Sequence, residues 1–137
     1  IRAASDSAWR KGRLRFEERD ILSCSLPESD AVLLLDVLHY WSADKQDALL
    51  ARIHAILRPG GRLILRDAML RDSAAHSRVV FWERFATAIA HNRAVEKLCF
   101  RSLEDIRSGL ERAGFRNVAE VHGRTGLGSN ALLIAEA

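Results

Sequence analysis

Two residues of this sequence have the types and the placement that acid–base chemistry needs. His39 follows an apolar run at residues 31–35, and Asp67 follows a second short apolar run at residues 63–65. A carboxylate beside an imidazole fixes its tautomer and raises its basicity, which prepares a histidine to take a proton near neutral pH. The pattern therefore indicates a general base oriented by an acid. An alternative interpretation is that His39 only caps the next helix or hydrogen-bonds a loop carbonyl.

The elements around this pair predict a parallel crossover. Residues 31–35 have no polar member, which is typical of a strand covered on both faces, so we expect this strand to be central in its sheet. From Asp44, the predicted N-cap, apolar residues recur at helical spacing until Pro59-Gly60-Gly61 stops the helix. A second strand follows at residues 62–67. Because parallel neighbours end at the same edge of a sheet, about 4.8 Å apart, the candidate base and acid could meet there.

The rest of the chain alternates helices and strands. An aromatic stripe in the helix at residues 75–91 is explained either by packing in the core or by a segment that covers a bound acceptor. The other predicted elements are a weak strand at residues 14–18, a helix that starts at Ser102 and ends at Gly114, and an antiparallel pair of strands at residues 117–123 and 130–137.

Composition narrows the function classes. With 137 residues, of which 48% are hydrophobic, the chain fits one globular domain. Its net charge of +3 comes from 21 basic and 18 acidic residues. The basic residues are scattered rather than clustered, which argues against a nucleic-acid partner. No apolar run approaches the roughly 18 residues that a membrane span needs, and no signal segment is visible, so we expect a cytoplasmic protein without a membrane partner. The sequence predicts no metal site.

The passage at residues 30–67 resembles the central part of class I S-adenosylmethionine-dependent methyltransferases. The likeness is greatest to small-molecule O-methyltransferases, which carry a Leu-His-Asp-Trp-Ser type segment, a helix, Pro-Gly-Gly, and a strand that ends in an acid. In this chain the segment is Leu38-His39-Tyr40-Trp41-Ser42, with Tyr40 in place of the family's Asp. The resemblance implies that S-adenosylmethionine is the cofactor and that a hydroxyl of a small-molecule acceptor receives the methyl group. It also implies that His39 takes the acceptor's proton and that Asp67 orients it.

Further site residues follow from the same resemblance. Asp20 and Ile21 match the positions where the family holds the adenine, although a solvent-facing loop acid is the alternative for Asp20. Residues Leu35, Asp36 and Val37 would pass beside the sulfonium through backbone contacts; Asp36 stands where the family often has Lys or Asn. The residues expected to contact the acceptor are Trp41, Met69 and Trp82.

The resemblance covers only about the last two-thirds of a methyltransferase domain. The glycine-rich turn that approaches the cofactor, and the acid about 20 residues beyond it, are not found. We therefore expect a partial Rossmann-like α/β fold that lacks its first βαβ repeat, with a mostly parallel sheet and an antiparallel C-terminal strand. It would form a single partial domain, with residues 1–28 a poorly ordered or re-paired remnant and residues 29–137 the main part.

Two other function classes stay open. The chain could be a non-catalytic, methyltransferase-like module that serves interaction or oligomerisation, unable to bind cofactor alone. In either case its partner would be a second copy or the missing N-terminal part of the same protein. An unrelated flavodoxin-like or nucleotide-binding domain would explain the βαβ unit, but not the residues that follow its first strand.

Overall fold

The computed structural model describes residues 16–70, 74–89, 98–121 and 130–137, and these form a sheet packed against helices. A 3₁₀ turn at Leu38–Tyr40 follows the first strand. The other elements in chain order are β1 (Ser29–Leu35), α1 (Ala43–Ile56), β2 (Leu57–Ala68), α2 (Ala74–Ile89), α3 (Leu103–Arg112), β3 (Arg116–Glu120) and β4 (Asn130–Glu136).

The four strands lie in the order β1-β2-β4-β3. β1 and β2 are parallel, whereas β4 is antiparallel to both β2 and β3, so three strands run one way and the C-terminal strand runs the other. This arrangement confirms the expected partial α/β fold with its antiparallel C-terminal strand. The predicted helix from Ser102 is confirmed as well, with a capping box between Ser102 and Asp105.

The core lies on one face of the sheet. Register places Leu34 beside Leu65 and Leu65 beside Leu133, and all three side chains are buried. Alternation along the strands puts these residues on the same face. The same apolar cluster contains residues of α1 and α3: Leu49, Leu50, Ile53, Ile106 and Leu110. The strands and helices therefore share one apolar core, and packing in this core holds the ends of β1 and β2 in place.

The prediction that residues 31–35 form a central strand is wrong for the described part of the chain. β1 lies at the edge of the four-stranded sheet, and Leu33 and Leu35 on its other face are 61% and 45% exposed. The apolar run that suggested burial on both faces is thus buried on one face only. Residues 16–18 of the predicted first strand are irregular, and residues 14 and 15 lie outside the described residues. The proposed remnant at residues 1–28 stays a prediction, since most of it lies outside them as well.

The start of α1 also differs from the expectation. The helix begins at Ala43 with Ser42 at the N-cap, so Asp44 lies in the first turn, where a negative charge is favourable, rather than at the cap. The helix ends at Ile56, before Pro59-Gly60-Gly61. Gly61 is needed there because a Cβ would approach the carbonyl oxygen of Arg58 to 2.8 Å.

Candidate active site

The parallel pairing of β1 and β2 brings the segments that follow them together. Leu35 and Arg66 are register partners, and the backbone N–H of Asp36 donates to the carbonyl of Arg66 at 2.7 Å. Asp36 then adopts a left-handed conformation, with φ of +54°, and the 3₁₀ turn Leu38–Tyr40 begins two residues later. The turn therefore stands beside the carboxyl end of β2, where Asp67 lies.

His39 and Asp67 are in direct contact. Nδ1 of His39 lies 2.5 Å from Oδ1 of Asp67, and both side chains are only 3% exposed. The same carboxylate accepts the backbone N–H groups of Leu38, His39 and Ala68 at 2.7, 3.2 and 2.7 Å. Because Asp67 is an acceptor in all of these contacts, we assign the imidazole proton to Nδ1. That tautomer leaves Nε2 as the nitrogen able to take a proton.

Two aromatic rings pack near the imidazole ring of His39, and a backbone hydrogen bond holds its main chain. The ring of Phe100 stacks on it at 5.0 Å with an interplanar angle of 14°, and the ring of Tyr40 lies 4.3 Å away at 44°. The backbone N–H of Cys99 donates to the carbonyl of His39 at 2.8 Å. The segment at residues 98–101, which the sequence did not single out, therefore forms one wall of the site.

A buried glutamine joins the two segments that hold His39. Gln46 on α1 is 1% exposed, and its Nε2 donates to the backbone carbonyls of Trp41 and Cys99, each at 2.9 Å. Trp41 follows the 3₁₀ turn and Cys99 precedes Phe100, so one amide links the turn that carries His39 to the segment that carries Phe100.

Replacing Gln46 by Leu should lower the free energy of unfolding by about 1–3 kcal/mol, because two partly buried carbonyls lose their donor. Urea denaturation followed by circular dichroism measures the change. The neighbouring Lys45 is exposed on the same helix, and Lys45→Leu should change stability by no more than about 0.5 kcal/mol. Equal effects of the two substitutions would show that the bridging amide contributes nothing specific.

A second acid faces the other nitrogen of His39. Oε2 of Glu83 on α2 lies 3.4 Å from Nε2, and the hydroxyl of Tyr40 donates to the same oxygen at 2.6 Å. The Nε2–Oε2 distance suits an ion pair, yet the contact lacks hydrogen-bond geometry, and within the described part of the chain Nε2 has no hydrogen-bond partner. Sequence reasoning missed Glu83. Glu83 lies four residues after Val79 and therefore on the same helical face, but only the structure shows that this face turns inward.

The surrounding charges decide how readily His39 binds a proton. Burial by itself lowers the pKa of His39, but the hydrogen bond and negative charge of Asp67, together with the charge of Glu83, outweigh burial and raise the pKa above its usual 6.5. Burial and the contact with Glu83 raise the pKa of Tyr40 well above its ordinary value. Tyr40 therefore remains a neutral donor at physiological pH.

The residues predicted to bind the cofactor lie in two places. Asp20 is exposed, and its two oxygens accept from the backbone N–H of Leu22 at 3.0 Å and from the hydroxyl of Ser23 at 2.8 Å. These two hydrogen bonds lower its pKa. Ile21 is partly buried against the core. The second place is the end of β1, where Leu35 is exposed, Asp36 pairs with Arg66 and accepts from Asn130, and Val37 packs against the core.

The residues predicted to contact the acceptor do not form one surface. Met69 is 1% exposed within the core, whereas Trp82 is 56% exposed on α2, with Phe81 and Phe85 as aromatic neighbours. Trp41 is partly buried against the core. The exposure of the stripe on α2 contradicts the interpretation that it is core, and the covering role stays a prediction. Over the described ranges, no cluster of three His, Cys, Asp or Glu side chains could hold a metal, and no helix is long and apolar enough to cross a membrane.

The sequence and the fold fit a known class. Residues 1–116 match the model of the O-methyltransferase domain, and the chain therefore belongs to that family. The sequence resemblance to class I methyltransferases is thereby confirmed.

Individual relatives agree with the family. The chain is 35% identical over 106 residues to the N,N-dimethyltransferase OxyT of Streptomyces rimosus. The aligned segment covers 77% of this chain and 29% of OxyT. It is 32% identical over 109 residues to the tetracenomycin polyketide synthesis 8-O-methyl transferase TcmO of Streptomyces glaucescens. That alignment covers 77% of this chain and 30% of TcmO. The chain thus spans less than a third of the length of these relatives.

Solved structures agree with the fold. Human N-acetylserotonin methyltransferase in complex with SAM superposes with a TM-score of 0.60 at 25% identity, over 92% of this chain and 36% of the human chain. TnmH superposes with a TM-score of 0.68 at 20% identity, over 90% of this chain and 34% of TnmH, and supports the fold alone.

Proposed function

We propose that this chain is part of an enzyme that transfers a methyl group from S-adenosylmethionine to a hydroxyl of a small molecule. His39 would be the general base, and Asp67 the residue that orients it. The observation that carries the proposal is the buried 2.5 Å contact between Nδ1 of His39 and Oδ1 of Asp67, which leaves Nε2 as the free base. Membership of the O-methyltransferase family, and relatives named for O-methylation such as TcmO, support oxygen as the methylated atom.

The cofactor would lie beside two segments, the one that contains Asp20 and Ile21 and the one at residues 35–37. When bound, S-adenosylmethionine supplies an activated methyl group, so the protein has mainly to align the reactants and exclude water. Each oxygen of Asp20 accepts one hydrogen bond from the chain and can accept another from an exocyclic amine, which fits the adenine role. The partly buried Ile21 beside it offers an apolar surface for the ring. The backbone of residues 35–37 would pass the sulfonium end.

The chain's own residues would then handle the acceptor's proton. Nε2 of His39 would take the hydroxyl proton as the acceptor oxygen receives the methyl group, and the carbon–sulfur bond of the donor would break to leave a neutral thioether. The imidazolium that forms lies between two carboxylates, Asp67 on Nδ1 and Glu83 near Nε2, which stabilise its positive charge. Stacking on Phe100 fixes the plane of the imidazole ring and with it the direction of the Nε2 lone pair.

Methyl transfer should increase with pH through an apparent pKa above 6.5. The raised pKa of His39 keeps the imidazole protonated at low pH, and only the neutral form above that pKa can accept a proton. The kcat/KM of the full-length protein, measured with S-adenosylmethionine and a hydroxylated acceptor across this range, gives the profile. Mass spectrometry of the product identifies the methylated atom.

Glu83→Gln should shift this profile toward lower pH, because it removes one of the two negative charges that raise the pKa of His39. The exposed Glu111 on α3 provides a matched control, and Glu111→Gln should leave the profile in place. A rate that does not vary with pH, or methyl groups found only on nitrogen or carbon, would contradict this mechanism.

One observation favours a second candidate function. Over the described residues the outer edge of β1 is unpaired, and Leu33 and Leu35 are exposed beside it, as expected of a surface that binds another chain segment. A non-catalytic interaction module would use this edge and would show no methyl transfer in the experiment above. If the protein is an enzyme, the same edge would be covered by the rest of the protein or by a second copy.

A further inference from the structure

The position of Glu83 restricts what can stand beside the methylated hydroxyl. An acceptor oxygen that donates to Nε2 of His39 must enter next to Oε2 of Glu83, because those two atoms are only 3.4 Å apart. Nε2 makes no hydrogen bond among the described residues, so its lone pair is unused, but the atom is buried and a donor reaches it only when the side chains that cover it move aside. A group attached close to the reacting hydroxyl on the side of Glu83 therefore faces a carboxylate.

Tyr40 keeps that carboxylate in place. Its hydroxyl donates to Oε2 of Glu83 at 2.6 Å, and its raised pKa keeps it a neutral donor. The side chain of Glu83 is 24% exposed, so it is largely shielded from water and has an oxygen left for a second donor. The site thus offers two neighbouring acceptors, one on an imidazole and one on a carboxylate.

We propose that the acceptor carries a second hydrogen-bond donor, a hydroxyl or an amine, on the atom next to the one that bears the methylated hydroxyl, and that Glu83 binds it. This inference rests on the proposed function, since it assigns the first hydroxyl to His39. Two acceptors 3.4 Å apart match donors on adjacent ring atoms better than donors separated by a longer chain. An anionic neighbour would be disfavoured, because Glu83 and Asp67 already place two negative charges around the imidazole.

Three rigid probes that differ in one group test the proposal. They are 2,3-dihydroxynaphthalene, 2-naphthol and 3-hydroxy-2-naphthoate, which put a hydroxyl, a hydrogen or a carboxylate beside the same hydroxyl. The full-length protein should methylate the diol with a kcat/KM at least about tenfold above 2-naphthol, because a hydrogen bond to a charged group discriminates by roughly that factor. The hydroxynaphthoate should be the poorest of the three.

Glu83→Gln should reduce the preference for the diol and raise the rate with the hydroxynaphthoate relative to 2-naphthol, since the negative charge is gone. Glu111→Gln should keep the wild-type ranking. Equal kcat/KM for the diol and 2-naphthol in the wild-type protein would overturn this inference, and that comparison holds even if Glu83→Gln fails to fold. Methyl transfer to none of the probes, or full transfer by His39→Gln, would instead overturn the proposed function.

Discussion

Replacing His39 by Gln should lower the kcat of the full-length protein by about 100-fold or more. Glutamine has a similar volume and keeps an N–H that can donate to Asp67, which in the wild-type protein lies 2.5 Å from Nδ1. It has no atom that can take a proton near neutral pH. The substitution should therefore slow the chemical step without unfolding the protein.

The affinity for S-adenosylmethionine separates this outcome from a general loss of structure. Isothermal titration calorimetry should give nearly the same Kd for His39→Gln and the wild-type protein, because the residues proposed to hold the cofactor do not include His39. His54 on α1 is a suitable control, since its ring contacts Phe115 rather than the candidate site. His54→Gln should retain most of the activity. Unchanged turnover in His39→Gln would assign that histidine a structural role.

The pairing of His39 with Asp67 could be predicted because it depends on one topological rule. Consecutive strands joined by one helix usually lie parallel and adjacent, which brings their carboxyl ends together, and both residues stand at such ends. The order strand, helix, strand along the chain was enough to place His39 and Asp67 close together. Family resemblance then supplied a chemical role.

Glu83 and Phe100 could not be found in this way. Both reach His39 from segments that return to the site after the strand–helix–strand unit, and their approach depends on how α2 and residues 98–101 pack. The apolar residues of α2 also lie on more than one face, so their spacing did not show which face is buried. The aromatic stripe that suggested a core is exposed, whereas Val79 is buried and Glu83 makes the contact with the site. A pattern identifies an amphipathic helix, but it does not show which part of the molecule each face meets.

The apolar pattern of β1 likewise did not show which of its faces is buried. Val32 and Leu34 pack against the core, whereas Leu33 and Leu35 are exposed, although the five residues are uniformly apolar. Composition sets what a strand can bury on each face. What it does bury depends on the neighbours that the rest of the fold supplies.

Asp67→Asn should cause the second large effect, on stability and on turnover together. The carboxylate accepts from three backbone N–H groups and from the imidazole of His39, all of them buried. An amide of the same size turns one accepting position into a donor that faces other donors. We expect the free energy of unfolding to fall by about 2–4 kcal/mol, as for other broken buried charge contacts.

Two measurements distinguish the structural part of this effect from the chemical part. Asp30 on β1 is exposed and pairs with Arg58 at 2.9 Å, so Asp30→Asn should cost no more than about 1 kcal/mol in urea denaturation. In the fraction of Asp67→Asn that stays folded, the pH profile of kcat/KM should move to lower pH, because the hydrogen bond and negative charge that raise the pKa of His39 are lost. The maximum rate should fall as well, since the developing imidazolium loses a counter-charge and the tautomer is no longer fixed. A stable Asp67→Asn protein with the wild-type pH profile would show that the short contact contributes neither to the fold nor to the basicity of His39.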